Sequence, residues 1–273
     1  MNARRPYGCR LLALAAAFTL SLFTICNALA QPSEWAGKRV AFLGDSMTDP
    51  NHRAASSHYW KQLEAMLGIE ARVYAKSGLQ WNGIYAKAEA MRAAEGDSLD
   101  AILVWAGTND YNHSVPVGRF YTERDSAVVV DGQLAVRRHR TWCRDDSTFC
   151  GRVGRVLAYL RHHYPRCQVV LLTPIHRSYS AFSERNIQPD EDFANGQGLY
   201  VEDYVHLLRQ AGEHWSVPVV DLFTLSGLYP LEPADSVYFY DARTDRLHPN
   251  DAGHYRLART LAAQLRALPV GGL

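Results

Sequence analysis

The sequence predicts a three-layer α/β/α sandwich built around a five-stranded parallel β-sheet. From residue 31 onwards, short apolar runs alternate with longer segments of helical periodicity, which is the pattern of βαβ units. Several of these runs end in glycine, serine or asparagine, residue types that form turns and polar contacts at the carboxyl ends of parallel strands. The chain of 273 residues, 47% of them hydrophobic, is long enough to bury one sizeable core. We therefore expect residues 31–273 to form a single domain.

Five apolar runs are predicted to be the strands of this sheet, because continuous apolar runs are typical of parallel strands covered on both faces. They comprise residues 39–43, 71–75, 101–105, 168–172 and 217–222. The segments between and after them place apolar side chains on one face at helical spacing, which predicts helices over residues 57–67, 81–94, 152–163, 199–211 and 251–268. No internal repeat or low-complexity tract appears in the sequence.

Two segments break the alternation of strands and helices. The first, at about residues 111–146, has no helical period but contains an Asp131-Gly132 turn signal between two short apolar runs. We interpret it as a β-hairpin excursion from the end of the third strand, which either faces the substrate or covers an edge or an oligomer contact. The second segment, residues 175–195, is polar and is predicted to be a loop.

The first thirty residues are typical of a secretory signal peptide. Three arginines precede an apolar run over residues 11–25, and Ala28-Leu29-Ala30 has the small-x-small pattern of a cleavage site. Cleavage after Ala30 is predicted, so residues 1–30 are the signal peptide and the mature protein is secreted or periplasmic, without stable membrane insertion. A transmembrane anchor is the alternative, for which the apolar run is short.

Charge and cysteine content narrow the possible partners. Loss of residues 1–30 removes three arginines and no acidic residue, so the net charge changes from +1 to −2, and we expect no nucleic-acid partner.

The sequence has no CxxC or HExxH spacing, and we expect neither a metal nor a cofactor. Cys143 and Cys150 lie close enough in sequence to close a small disulfide loop, whereas Cys167 is expected to be a buried thiol. Nothing in the sequence indicates an oligomeric state.

Ser46 is the candidate nucleophile. It ends a Gly-Asp-Ser motif directly after the first predicted strand, where glycine allows a sharp turn and where α/β sheets bind their ligands. A serine in a turn is more often a cap, so this assignment depends on partners elsewhere in the chain. A second serine, Ser98, lies in a literal Gly-Asp-Ser-Leu sequence before the third strand, at the opposite edge of the sheet. We interpret Ser98 as part of a helix-to-strand turn.

His248 is the candidate base, and Asp245 is the residue that orients it. Both belong to an Asp-Arg-Leu-His-Pro segment, whose proline favours extended geometry at the histidine and suits the start of the next helix. A carboxylate three residues before an imidazole can accept a hydrogen bond from Nδ1, which leaves Nε2 free to remove a serine proton. Taken alone, the segment would be interpreted as two helix caps and a surface histidine. His113 and His176, in predicted loops near the same edge, are weaker candidates for substrate contact.

Three hydrogen-bond donors are predicted to stabilise an oxyanion. Gly78 follows the second strand, where the missing Cβ lets a backbone N–H approach a substrate oxygen. Asn109 follows the third strand and can direct its side-chain amide into the same crevice as the backbone N–H of Ser46. Each residue alone is an ordinary turn former, but a serine, a glycine, an asparagine and a histidine placed in this way indicate a catalytic site.

Four short motifs contain these residues: Gly44-Asp45-Ser46, Gly78, Gly107-Thr108-Asn109-Asp110 and Asp245-Arg246-Leu247-His248-Pro249. Together they resemble the four sequence blocks of the SGNH (GDSL-type) serine hydrolases. The resemblance spans nearly the whole mature chain and implies a flavodoxin-like fold. It also implies that Ser46 is the nucleophile, His248 the base and Asp245 its orienting acid, with an oxyanion hole formed by Ser46, Gly78 and Asn109. Met47 departs from the residue usual after the serine, which changes local packing only. No GxSxG motif surrounds a strand-end serine, which disfavours the other large esterase fold.

The expected reaction is hydrolysis of a carboxylic ester through an acyl-enzyme. Aromatic residues near the predicted loops suit stacking on sugars, so we expect a carbohydrate O-acetylesterase that acts on a small ester or an acetylated saccharide. A short-chain lipase or thioesterase-type acylhydrolase is one alternative. The other is an inactive relative that binds carbohydrate, although every catalytic position holds the required residue type.

Overall fold

The computed structural model of the protein describes residues 33–270, so the predicted signal peptide lies outside the described residues. Its strands, in chain order, are β1 Arg39–Gly44, β2 Glu70–Ala75, β3 Ala101–Trp105, β4 Tyr121–Val130, β5 Gln133–Trp142, β6 Gln168–Leu172, β7 Ser180–Ser183, β8 Asn186–Gln188, β9 Val219–Val220, β10 Phe239–Asp241 and β11 Asp245–Pro249. Its α-helices are α1 Tyr59–Leu67, α2 Trp81–Glu95, α3 Thr108–Asn112, α4 Phe149–His163, α5 Val201–Trp215, α6 Leu222–Leu225 and α7 Asp251–Leu265, and a 3₁₀ helix spans Pro233–Tyr238.

Five parallel strands form the central sheet in the order β2-β1-β3-β6-β9, which is the flavodoxin-like order. Val40 and Phe42 of β1 face a hydrophobic cluster that includes side chains of α1 and α7, whereas Ala41 and Leu43 face a cluster that includes side chains of α2, α4 and α5. Because successive strand residues point to opposite faces, a continuous apolar run is needed where helices cover both faces. The predicted three-layer α/β/α sandwich is confirmed.

The central strands match the predicted ranges to within one residue except for the last, in which only Val219 and Val220 pair with β6. Asp221 accepts a hydrogen bond from Thr173 Oγ1 at 3.0 Å and precedes α6, so the chain leaves the sheet there. Helix α4 begins at 149 rather than the predicted 152, because Thr148 Oγ1 accepts the N–H of Gly151 and caps the helix. Within residues 33–270, no helix combines the length and the apolar character that crossing a membrane requires.

The hairpin predicted within residues 111–146 is present as β4 and β5, which pair with each other and, among the described residues, with no other strand. Asp131 and Gly132 form its turn, and both have positive φ, as type I′ turns require. At the base of the hairpin, Trp142 packs edge-on against Tyr121 and against His214 of α5. None of the hairpin residues lines the pocket described below, so the substrate-facing alternative has no support in the structure.

Cys143, Cys150 and Cys167 are free thiols, so the structure contains no disulfide between Cys143 and Cys150. Close packing holds the chain against α4 instead. The carbonyl oxygen of Cys143 approaches Gly154 so closely that a Cβ on the glycine would lie 2.7 Å from it. Cys167 is half-buried, and its Sγ donates a hydrogen bond to the carbonyl oxygen of Leu99 at 2.8 Å, which fits a structural thiol.

A second sheet, with strand order β10-β11-β7-β8, is not predicted by the sequence pattern. Strands β7 and β8 fall within the segment predicted to be a loop, and with four and three residues of mixed polarity they are too short to show alternation. Strand β11 carries Asp245 and His248, and it pairs with β7 through Asp245 and Ser180. This sheet therefore brings the candidate base next to a hairpin that the sequence does not mark as part of the site.

Candidate active site

The turn after β1 places Ser46 at the carboxyl edge of the central sheet. The carbonyl oxygen of Asp45 accepts hydrogen bonds from the N–H groups of Thr48 at 3.0 Å and Asp49 at 2.9 Å, so the chain makes one helical turn directly after the strand. Gly44 is needed at this position because a Cβ would lie 2.2 Å from Thr48 Oγ1. Ser46 consequently stands in the region where α/β proteins bind their ligands.

Ser46, His248 and Asp245 form a continuous chain of hydrogen bonds. Ser46 Oγ lies 2.9 Å from His248 Nε2, and His248 Nδ1 lies 2.9 Å from Asp245 Oδ2. Because an ionised carboxylate only accepts hydrogen bonds, Nδ1 carries the hydrogen, Nε2 is the acceptor, and the Ser46 hydroxyl donates to it. All three residues are more than nine-tenths buried. This is the arrangement in which a histidine can activate a serine as a nucleophile.

The geometry of β11 fixes the carboxylate of Asp245. Its Oδ1 also accepts the backbone N–H groups of Leu247 and His248, each at 3.1 Å. Burial acts to raise the pKa of Asp245, but the hydrogen bonds from the imidazole and the two backbone groups hold that pKa below its ordinary value. Asp245 is therefore ionised at neutral pH and can stabilise a positive charge on the imidazole. Asn250 anchors the following turn, because its Oδ1 caps the N-terminus of α7.

Gly78 lines the same pocket as Ser46, in the loop after β2. Its φ is +81°, and no atom would lie within 4 Å of an added Cβ, so backbone conformation rather than lack of space requires glycine. Asp49 Oδ2 accepts hydrogen bonds from the N–H and the hydroxyl of Ser77, each at 2.7 Å. Asp49 thus ties together the loops that carry Ser46 and Gly78. The sequence indicates only a turn at Asp49, although its place three residues after Ser46 puts it on the same turn.

Asn109 also lines the pocket, but its side-chain amide already has two acceptors. Nδ2 donates to Asp45 Oδ2 and to the carbonyl oxygen of Leu79, at 3.1 Å in each case. For Nδ2 to donate to a substrate oxygen, one of these bonds must be exchanged, and the bond to Leu79 is the less buried of the two. The structure places Asn109 at the pocket, and its part in an oxyanion hole stays a prediction.

Two buried carboxyl groups, Asp45 and Asp110, support the loops around the pocket. Burial raises the pKa of Asp45 to about 7, against hydrogen bonds from a backbone N–H and from Asn109, and the nearby charge of Asp110 adds to the rise. Burial also raises the pKa of Asp110 to about 6, although the N–H of Trp81 and the guanidinium of Arg152 act to lower it. Asp110 accepts the Trp81 N–H at 3.1 Å and pairs with Arg152 at 3.0 Å, which joins α3 to α2 and α4.

A second histidine, His52, packs against His248 in the wall of the pocket, with the two rings tilted relative to each other. Burial lowers the pKa of His52 to about 4, and the neighbouring His248 adds to the effect. His52 is therefore neutral at pH 7. It stands in a turn without regular periodicity, and nothing in the sequence pattern associates it with the site.

The residues around Ser46 enclose a pocket of about 270 Å³. They come from the loops of the central sheet, from β11 and from the β7–β8 hairpin, and comprise Ser46, His52, Ser77, Gly78, Asn109, Phe182, Asn186, Gln188, Leu247 and His248. Phe182 packs edge-on against the His248 ring, with centroids 5.4 Å apart. Seven of these ten residues have polar side chains, and only Phe182 and Leu247 contribute large apolar ones. Phe182, Asn186 and Gln188 of the β7–β8 hairpin reach the site because the second sheet brings them there. Their spacing in the sequence therefore does not indicate that they belong to the site.

The remaining sequence candidates lie elsewhere. Ser98, in the literal Gly-Asp-Ser-Leu sequence, donates from Oγ to the carbonyl oxygen of Glu95 at 2.6 Å, in the turn between α2 and β3. Its interpretation as a turn residue agrees with the structure. His176 forms a hydrogen bond with Glu191 at 2.5 Å, and neither His176 nor His113 lines the pocket.

Comparison with known proteins places the chain among ester hydrolases at the level of the family. A model of the GDSL-like lipase/acylhydrolase family matches residues 42–256, which is well over half of the chain. No match is found among curated proteins.

Solved structures share the fold. A crystal structure of a protein from Lactobacillus plantarum is 27% identical, with 85% of this chain and 98% of that chain covered and a TM-score of 0.66. An acetyl xylan esterase is 16% identical, with 83% of this chain and 99% of that chain covered and a TM-score of 0.51. The M. smegmatis aryl esterase is 16% identical, with 85% and 100% covered and a TM-score of 0.53. At these identities, the last two likenesses are of fold alone.

Proposed function

Because this chain belongs to the GDSL-like lipase/acylhydrolase family, we propose that it is a serine esterase with Ser46 as its nucleophile. We propose further that it is exported and that its substrates are O-acetylated saccharides. The observation that carries the proposal is the chain of two 2.9 Å hydrogen bonds from Ser46 through His248 to Asp245. The signal-peptide pattern of residues 1–30 supports export.

In the first half of the reaction, Ser46 Oγ attacks the ester carbonyl carbon while His248 Nε2 takes the hydroxyl proton. The carbonyl oxygen becomes an oxyanion, towards which the backbone N–H groups of Ser46 and Gly78 and the amide of Asn109 donate. The ionised Asp245 stabilises the imidazolium that has formed. When the tetrahedral intermediate collapses, the bond to the alcohol oxygen breaks, His248 gives its proton to that oxygen, and an acyl group remains on Ser46.

In the second half, water takes the place of the alcohol. His248 removes a proton from the water as it attacks the acyl carbon, and a second oxyanion forms at the same donors. Collapse breaks the bond to Ser46 Oγ, which recovers the proton from His248, and the carboxylic acid leaves. Each step uses the same three side chains, so no further co-reactant is needed.

The size and lining of the pocket support a small acyl group attached to a polar alcohol. Its volume of about 270 Å³ is below the roughly 300–1,000 Å³ usual for pockets that bury drug-sized ligands. A long acyl chain would need a continuous apolar wall, whereas the two large apolar side chains, Phe182 and Leu247, are interspersed with polar ones. The seven polar side chains of the lining offer hydrogen bonds to a hydroxylated alcohol such as a saccharide.

The proposal is tested by acetate release from acetylated xylan and pectin oligosaccharides, compared with hydrolysis of C8–C12 esters. We expect the wild type to release acetate and Ser46→Ala to lose at least about 10³-fold in kcat. A fluorophosphonate probe should label the wild type at Ser46. Full hydrolysis by Ser46→Ala would refute the nucleophile, and faster hydrolysis of the C8–C12 esters would favour the lipase alternative over the saccharide.

A further inference from the structure

We propose that Gln188 is a specificity-determining residue whose amide Nε2 donates a hydrogen bond to an oxygen of the alcohol portion of the ester. The inference rests on the proposed function, because it names the feature by which an esterase site would select a hydroxylated alcohol. It follows from the hydrogen-bond network that determines which end of the Gln188 amide is left without a protein partner.

The orientation of the amide is determined by Arg177. A guanidinium has donors and no acceptor, so the Asn112 atom that faces Arg177 Nη1 must be the oxygen, Oδ1. Asn112 Nδ2 therefore points the other way, and it donates to Gln188 Oε1 at 2.7 Å. Arg177 Nη2 donates to the same Oε1 at 3.1 Å. Because Oε1 accepts from two donors, the free end of the Gln188 amide is Nε2.

A buried cation anchors this network. Arg177 is fully buried, and burial lowers its pKa to about 10, so it remains a cation at neutral pH. It lies over the ring of Tyr111 at 5.3 Å, and Nη2 donates also to the carbonyl oxygen of Pro189 at 3.3 Å. We regard Arg177 as a positioning residue, since it acts on the pocket through Gln188.

The free Nε2 belongs to a residue that lines the same pocket as Ser46. Within residues 33–270, no protein oxygen accepts a hydrogen bond from it. A fixed donor without a protein acceptor, in the wall of a pocket, is suited to an acceptor oxygen on the ligand. A substrate that lacks this oxygen leaves the donor without a partner and therefore binds more weakly.

The proposed substrate decides which oxygen the Gln188 amide can meet. An acetyl ester has two oxygens on its acyl carbon. The carbonyl oxygen faces the oxyanion donors, and the alcohol oxygen receives its proton from His248 Nε2. Strand β8 is separated from β11 by β7, so Gln188 lies one strand beyond the neighbours of the base. Every further acceptor oxygen of an O-acetylated saccharide belongs to its alcohol portion, so the donor of Gln188 is expected to meet a hydroxyl or ring oxygen there.

The test compares kcat/KM for a mono-O-acetylated methyl xyloside with that for phenyl acetate, whose alcohol portion has no oxygen beyond the ester. Gln188→Glu keeps an oxygen for Asn112 and Arg177 but replaces the free donor by an acceptor. Gln188→Met removes both functions at similar length, without adding charge. We expect each variant to lower the ratio of the two kcat/KM values by about three- to tenfold. Gln133→Glu, in an exposed position of the β4–β5 hairpin, is the matched control and should leave the ratio unchanged.

The ratio cancels any general loss of catalytic power, so a damaged fold does not imitate the effect. If both variants lose equally on the two substrates, the ratio stays unchanged. That result would overturn the inference and leave the esterase assignment intact. If the wild type cleaves phenyl acetate but no acetylated saccharide, the proposed substrate fails first, and the inference about Gln188 fails with it. Melting temperatures of the variants show whether the Arg177 network has survived the substitution.

Discussion

The imidazole rings of His52 and His248 lie 4.1 Å apart, centroid to centroid, and are inclined by 36°. A positive charge on His52 would repel the imidazolium that His248 becomes in each half of the proposed reaction. Burial lowers the pKa of His52 to about 4, so this charge is absent at neutral pH. The ring of His52 thus holds the base in place without opposing its protonation.

A permanent charge at this position is expected to slow the enzyme. His52→Lys should lower kcat at pH 8 by at least about tenfold, because a cation near the ring opposes the imidazolium. His52→Phe keeps an aromatic face without charge and should stay within a few-fold of the wild type. The measurement is kcat for phenyl acetate under saturating substrate. Equal losses in the two variants would mean that the imidazole of His52 has a role other than neutral packing.

Exchange of a hydrogen bond at Asn109 is expected during turnover. Its amide donates to Asp45 and Leu79 in the structure, so it can serve an oxyanion only by releasing one of them. Asn109→Ala should reduce kcat by about 10²–10³ with little change in KM, since the donor acts in the transition state. If kcat is retained, the amide stays bound to Asp45 and Leu79 throughout, and the oxyanion is held by backbone N–H groups alone.

The pH dependence of stability should reveal the buried carboxyl of Asp45. Its folded pKa of about 7 lies above the ordinary 3.8, so the folded state holds a proton that the unfolded state releases. The stabilising contribution of Asp45 is therefore complete below pH 3.8 and is lost as the pH rises towards 7. Asp45→Asn has no carboxyl group to ionise and so does not lose this contribution. The free energy of unfolding of the variant minus that of the wild type should therefore rise by about 1 kcal/mol or more between pH 4.5 and pH 8.

Urea denaturation of both proteins across this range measures the difference directly. Comparison with the wild type is necessary because His52 and His254 act in the opposite direction. Their folded pKa values, about 4 and about 3, lie below the ordinary 6.5, so their contributions to stability are lost as the pH falls. A constant difference between Asp45→Asn and the wild type would show that Asp45 is ionised in the folded protein even at low pH.

The sequence predicts the central sheet well because each parallel strand is covered on both faces and so must be a continuous apolar run. It does not predict the second sheet, because the strands of that sheet are short and are not covered on both faces. Phe182 and Gln188 lie in strands of four and three residues that are partly open to solvent, where no run or alternation can develop. Strand β9 is shortened by Asp221, whose side-chain hydrogen bond with Thr173 depends on a neighbour 48 residues away.

The residues of the candidate site also differ in whether the sequence predicts them. Ser46, Gly78 and Asn109 follow strands of the central sheet, so their proximity can be predicted from topology alone. Asp49 and His52 lie in turns whose paths depend on local hydrogen bonds. The orientation of Gln188 depends on Arg177 and Asn112, which meet it from two other parts of the chain. Contacts of this kind leave no periodic trace in a single sequence.

Ser46 follows a strand of the central sheet, whereas His248 lies in a strand of the second sheet, and 202 positions of chain separate the two residues. Ser46 acquires its partner only when the sheet that holds β11 has docked against the central one. Until then it is an ordinary hydroxyl of low reactivity. In the proposed mechanism, turnover therefore requires the completed fold. If the chain is exported unfolded, as the proposed signal peptide would allow, it would not hydrolyse esters before it folds.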